Sequence, residues 1–197
     1  MTGGGQAGGP SGERGPAELQ HPRFARAYAR AVEEMNRRGA TEHRRELLAG
    51  LHGSVVEIGA GDGSAFALYP PAVTRVLAIE PDDDLRSIAA AKAASAPVPV
   101  TVRAGAAEHI PAADASVDAV VSSLVLCSVG EQAPVLAEIR RVLRPGGSLL
   151  FTSTYARTTG CSRQWRTFWR LHGSGSPADA IQTGTLWRPS GRLALFR

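Results

Sequence analysis

Five residues of this chain are spaced to do chemistry together: Glu57, Gly59, Gly61, Gly63 and Glu80. Glu57 sits inside the apolar run V-V-E-I of residues 55–58, and the glycines follow at alternate positions in G-A-G-D-G. Glycines in that pattern let the main chain turn sharply and let a ligand reach it with no Cβ in the way. An acid within an apolar strand calls for a partner, because a carboxylate buried alone is costly. Glu80 ends a second apolar run, T-R-V-L-A-I-E. It stands about twenty residues past the turn, where nucleotide-binding α/β folds place a carboxylate on the ribose hydroxyls. A nucleotide-like occupant is expected. The pattern is G-x-G-x-G rather than the G-x-G-x-x-G of dinucleotide sites, which argues against NAD.

Such residues need a strand, a turn and a flanking helix to hold them, and the chain supplies that alternation. Residues 21–38 carry Phe24, Ala27, Tyr28, Ala31, Val32 and Met35 at helical spacing, which predicts an amphipathic helix closed by Gly39. Thr41 is placed to cap a second helix through Ala49, with Leu47 and Leu48 inward. Past the glycine turn a helix is expected to reach Tyr69 and to stop at Pro70-Pro71. Residues 74–80 read as a strand. Residues 81–94 read as a helix, with Pro81 in the first turn and Asp82 to Asp84 complementing its dipole. Strands are expected at 98–104, 116–123 and 148–151, a loop at 105–111 and a helix at 131–143, with R-P-G-G turning into the last strand. The alternation predicts an α/β fold, a Rossmann-like doubly wound parallel sheet that binds ligands at the carboxyl ends of its strands.

At 197 residues the chain is long enough for one well-packed domain. No apolar run is long enough to span a bilayer and the first residues lack a leader pattern, so a cytoplasmic protein with no membrane partner is expected. Cys127 and Cys161 lack metal-ligand spacing and read as free thiols; no metal is expected. Residues 1–20 are rich in Gly, Pro and small polar residues and are expected to be disordered. The net charge is +4, but residues 152–197 hold seven arginines against one acid, Asp179, while residues 1–151 carry a net −2. A mildly acidic core argues against a nucleic-acid partner.

Five motifs in order, V-V-E-I-G-A-G-D-G, A-I-E-P, G-A-A-E-H-I-P, D-A-S-V-D-A-V-V and R-V-L-R-P-G-G, resemble those of class I S-adenosylmethionine-dependent methyltransferases over residues 21–151. H-P-R-F-A-R-A-Y and L-V-L-C-S-V are further similar to a group of small methyltransferase-like proteins whose animal members methylate thiols. The resemblance implies strand order 3-2-1-4-5, S-adenosylmethionine as cofactor and a small-molecule methyl acceptor. It places Glu57, Gly59, Ala60, Gly61 and Gly63 at the methionine end, Glu80 and Pro81 at the ribose, Ala106, Ala107 and Glu108 beside adenine, and Ser122, Ser123 and Leu124 beside the transferring methyl group. The family often has Asp at the position of Ala106, so the adenine amino group loses one acceptor here. No catalytic side chain is implied, because alignment supplies most of the rate for an already activated methyl group. Cys127 reads as a core thiol, His21, His43 and His109 as surface or loop residues, with His21 the best placed of the three, and Asp114 and Asp118 as turn and register residues.

Class I sheets normally end with a helix and an antiparallel strand pair, and residues 152–197 do not read that way. The pair is expected to be missing or degenerate and the tail irregular and basic. Three readings stay open: a divergent tail, an arginine-aromatic patch with Trp165, Trp169 and Trp187, and translation out of frame after a slip near residues 149–151. Starting each permitted codon of T-S-T-Y-A-R one nucleotide earlier allows Y-E-H-V-R-A, which resembles the segment after the fifth strand in the thiol-methylating group. The same shift over residues 181–195 allows H-T-D-G-D-T-L-A-A-I-R-A-A-G-F, which has helical periodicity.

Overall fold

The computed structural model describes residues 17–20, 22–126 and 128–152, with the backbone of three short strands between 167 and 195. Helix α1 (Pro22–Met35) passes through a π-turn at Asn36–Ala40 into α2 (Thr41–Leu48). Strands β1 (Gly53–Ile58), β2 (Val73–Ile79), β3 (Val100–Arg103), β4 (Val117–Ser123) and β5 (Leu143–Thr152) form one parallel sheet in the order β3-β2-β1-β4-β5. Helix α3 (Asp83–Ala93) follows β2, and α4 (Gln132–Val142) follows β4.

Side chains alternate across a strand, so each strand feeds two cores. One face sets Val55, Val76, Ala78, Val121 and Leu150 against Leu47 and Leu48 of α2, Phe66, Tyr69 and Ala89 of α3. The other sets Val56, Ile58, Ile79, Val120 and Leu149 against Val135, Ile139 and Val142 of α4. Both faces are covered, which is why the strands read as continuous apolar runs rather than alternating ones. Asp118 holds register, as expected: it accepts from the Ser54 N–H at 2.7 Å and from Arg144 at 2.6 Å, joining the starts of β1, β4 and β5.

Several local expectations need correction. No α-helix follows the glycine turn; a single 3-10 turn, Phe66–Leu68, crosses to β2, because residues 64–69 are too few for a helix before Pro70-Pro71 stops it. Thr41 does not cap α2: its backbone is helical, and the break falls at Gly39 with φ 92°. Helix α3 is capped instead by Asp82, whose side chain accepts from the Leu85 N–H at 3.0 Å. Residues 17–20, grouped with the disordered segment, form a 3-10 turn because Gln20 finds polar partners: it accepts from the Asp83 N–H and donates to the Pro81 carbonyl. The tail is not irregular throughout. Strands β6 (Thr167–Trp169), β7 (Gly184–Trp187) and β8 (Leu193–Leu195) pair antiparallel in a sheet of their own, and among the described residues β5 remains the last strand of the main sheet.

Candidate cofactor site

The carboxyl ends of four strands lie side by side: Ile58 pairs with Ile79 and Ser122, and Ile79 with Arg103. The loops that leave them open on one edge of the sheet and carry Gly59 to Gly63, Glu80 and Pro81, Ala106 to Glu108, and Leu124. A cavity of about 70 Å³ lined by Leu47, Leu51, Asp118 and Ser148 lies at the amino ends of the strands instead. Open α/β sheets bind ligands at the carboxyl ends, so the glycine edge is the candidate.

The turn is stitched to the end of β2. Gly61 N–H donates to Glu80 Oε2 at 2.7 Å, Asp82 N–H to Glu80 Oε1 at 3.0 Å, and Ala60 N–H to the Ile79 carbonyl at 3.0 Å. Gly63 N–H closes onto the Ala60 carbonyl at 3.0 Å. The N–H groups of Gly61 and Gly63, expected to face a ligand, thus donate within the protein. Glu80 is buried, and burial raises its pKa. Each of its oxygens has a second lone-pair site with which to accept a hydroxyl. Gly61 has φ 58°, and a Cβ there would stand 3.1 Å from the Tyr28 hydroxyl oxygen, so the close approach that glycine permits is made by α1.

Glu57 is 2% exposed and, among the described residues, accepts one hydrogen bond, from Tyr69 Oη at 2.8 Å. Burial pushes its carboxyl up to about 7, against the pull of the Tyr69 bond and of Arg44, and with the repulsion of Asp62 and Glu80. Burial likewise raises the Tyr28 phenol, with Asp62, Glu80 and Glu57 adding to it. Asp62 differs. Burial pushes it up, but Lys92 Nζ at 2.6 Å and the Ser64 hydroxyl at 2.7 Å outweigh that and hold it below the usual range.

The loop after β3 is tied down from α4. Ile110 N–H donates to Glu138 Oε2 at 3.0 Å, and Arg141 donates to the carbonyls of Ile110 and Ala112 at 2.9 and 2.8 Å. That fixes Ala107, which is buried, with Ala106 and Glu108 half-buried beside it. Arg141 holds Glu138 down at about 2. At the end of β4, Ser122 is fully buried and its Oγ has no hydrogen-bond partner among the described residues. Leu124 takes φ 63°, a conformation few non-glycine residues adopt, while its N–H donates to the Thr152 carbonyl at 2.9 Å. Strain of that kind concentrates at functional sites. A buried acid with one donor, a second with open lone pairs and a buried hydroxyl that lacks a partner among the described residues fit a nucleoside that bears a cationic tail.

Residues 56–151 match the methyltransferase domain family. This span is a class I S-adenosylmethionine-dependent methyltransferase domain. The chain is 42% identical over 122 residues to the thiol S-methyltransferase TMT1A of Homo sapiens, covering 59% of this chain and 48% of that protein. To the thiol S-methyltransferase TMT1B of Homo sapiens it is 37% identical over 128 residues, covering 62% and 51%. The chain therefore spans about half the length of the curated relatives it matches. A putative S-adenosylmethionine-dependent methyltransferase from Methanococcus maripaludis shares the fold, with a TM-score of 0.60 over 75% of this chain and 68% of that one at 18% identity. S-adenosylmethionine is the cofactor of the domain.

Among the other singled-out residues, Asp114 pairs with Arg141 at 2.7 Å. His43 lies on α2, 3.8 Å from Glu46, and His109 is exposed. His21, Cys127 and Cys161 lie outside the described residues. The sequence reading missed Tyr69, Asp62 and Lys92, and took Tyr28 only for an apolar helix position. The available signal was a phenol twelve residues after Glu57, immediately before Pro70-Pro71 on a connection too short for a helix.

Proposed function

We propose that this methyltransferase transfers the methyl group of S-adenosylmethionine to a small-molecule acceptor, with thiols ahead of phenols and quinones. Glu57 and the turn from Gly59 to Gly63 hold the methionine end, Glu80 and Pro81 the ribose, the stretch from Ala106 to Glu108 the adenine, and Ser122, Ser123 and Leu124 border the methyl group. The observation that carries this is Glu80, which bridges the end of β2 to Gly61 of the glycine turn and keeps lone pairs for two hydroxyls. The thiol preference rests on the activity for which the human relatives are named. It is also sound chemistry. A thiol has an ordinary pKa of about 8.5, so part of it is thiolate near neutrality and no protein base is required. When bound, the cofactor would offer its methyl carbon to the acceptor sulfur and leave as S-adenosylhomocysteine, with the thiol proton passing to solvent. The sulfonium supplies the activated carbon; the protein's part is alignment and exclusion of water.

A second reading is a cofactor-binding remnant without turnover. It is favoured by the end of the family match at residue 151 and by β5 being the last strand of the main sheet among the described residues. Titration calorimetry with S-adenosylhomocysteine, followed by turnover on a panel of thiols, phenols and quinones, separates the two. Binding with thiol turnover supports the first, and binding without any turnover supports the second. No binding refutes both.

A further inference from the structure

Glu57 and Tyr69 are both 2% exposed and lie in the core between the sheet, α2 and α3. A phenylalanine at 69 and an aliphatic residue at 57 would fill the same volume without desolvating a charge, and such replacements are often neutral or stabilising. The polar pair is therefore a cost to stability. The short crossing from β1 to β2 explains how it arises. Phe66 N–H bonds to the Gly63 carbonyl, Leu68 N–H to that of Ala65 and Val73 N–H to that of Pro70, at 3.1, 2.9 and 2.9 Å. These bonds curl the crossing back under β1 and bring the phenol of Tyr69 to Glu57 Oε2. Glu57 is two residues before Gly59, and its carboxylate feels the charge of Asp62 in the glycine turn.

We infer that Tyr69 is a positioning residue: by donating its hydroxyl hydrogen to Glu57 it fixes that carboxylate as the acceptor for the ammonium group at the methionine end of the cofactor. The inference rests on the proposed placement of Glu57 at that end. The other charged and titratable groups that face Glu57 are Arg44 of α2, Asp62 of the turn and Glu80 at the end of β2, with Tyr28 of α1 near all three acids. Arg44 also donates to Asn36 Oδ1 at 2.6 Å. Tyr69 is the direct donor to Glu57, so it sets the orientation.

The test is titration calorimetry of the full chain with S-adenosylhomocysteine and with methylthioadenosine, which lacks the amino-acid end, across neutral to alkaline pH. Tyr69→Phe is expected to raise the carboxyl midpoint of Glu57. A rise of about one pH unit from about 7 cuts the ionised fraction near neutrality roughly fivefold and leaves it nearly unchanged two units higher. S-adenosylhomocysteine should therefore bind roughly fivefold more weakly to the variant near neutrality and almost equally at alkaline pH, while methylthioadenosine is unaffected. Equal losses for both ligands, or no pH-dependent loss, would overturn the inference and leave Tyr69 a packing residue. Glu57→Gln should weaken S-adenosylhomocysteine at every pH; if it does not, the placement of Glu57 itself fails. Should Tyr69→Phe not fold, the double variant Glu57→Gln/Tyr69→Phe has no buried carboxylate left unpaired. Its affinity should equal that of Glu57→Gln alone, and a further loss would refute action through Glu57.

Discussion

Replacing Glu57 by Gln should make the ligand-free protein more stable at alkaline pH. The carboxyl titrates at about 7 in the folded chain and at its ordinary 4.5 when exposed, chiefly because burial penalises the charge. The folded state thus holds its proton more tightly than the unfolded state does. Stability is unaffected below the unfolded value, falls as pH rises from there to about 7, and stays low above it. The interval is about 2.5 pH units, and each is worth about 1.36 kcal/mol, so the native acid costs about 3 kcal/mol at alkaline pH. Gln avoids that cost, and its amide oxygen still accepts from Tyr69. For a chain of this size the difference corresponds to a Tm rise of roughly 6–12 °C. Thermal melts of both proteins in ligand-free buffer from pH 4 to pH 9 measure it. The curves should coincide at the acid end and diverge through the interval, with only the native protein declining. Parallel curves, or a variant less stable at alkaline pH, would show that Glu57 is not a strained acid and would refute the reasoning.

Glu80→Gln should weaken S-adenosylhomocysteine and methylthioadenosine alike in calorimetry, since both carry the ribose. One carboxylate oxygen becomes an amide nitrogen and turns a donor toward the N–H of Gly61 or Asp82. Loss of a hydrogen bond to a charged group, about 1.5–3 kcal/mol, predicts a roughly 10- to 100-fold loss for both ligands. Arg141→Ala should release the loop from Gly105 to Ile110 from α4, raise the midpoint of Glu138 from about 2 toward its ordinary value, and remove the stability that native protein loses as pH falls through that interval. Acid melts read the second effect, and equal weakening of both ligands reads the first. The coding DNA across residues 145–160 should contain codons that permit Y-E-H-V-R-A one nucleotide earlier than T-S-T-Y-A-R; codons that forbid it end the out-of-frame reading.

The sheet was legible because its strands are buried on both faces. Residues 55–58, 74–80 and 116–123 each centre on a short apolar stretch, Val55-Val56, Val76-Leu77-Ala78-Ile79 and Ala119-Val120-Val121, and each of these strands formed within a residue or two of its expected bounds. Asp118 could be read as a register residue since an acid near the start of a buried strand has few other uses, and it clasps Ser54 and Arg144. What sequence could not give was the path between strands. Residues 64–69 carry apolar side chains that suit a helix, yet the chain reaches β2 too soon to complete one, and the 3-10 turn that results is what delivers Tyr69 to Glu57. Lys92, the sole lysine of the chain, is anonymous on its helix until the fold sets it 2.6 Å from Asp62. Side-chain pairs made across thirty residues have no signature in spacing.

The site therefore combines two kinds of acid with different obligations. Glu80 takes two main-chain N–H groups, so its charge helps to hold the glycine turn whether or not a ligand is bound. Glu57 has one phenolic donor and no such structural duty, and its burial raises its pKa to about 7. A protein selected for stability alone would lose the second acid before the first. Its retention inside a strand that otherwise reads as pure core is best explained by a cationic group that meets it on binding, which supplies the charge that Tyr69 does not. Ligand binding should then flatten the pH dependence of stability between 4.5 and about 7, because a bound cation favours the ionised form and brings the folded midpoint back down toward the unfolded one.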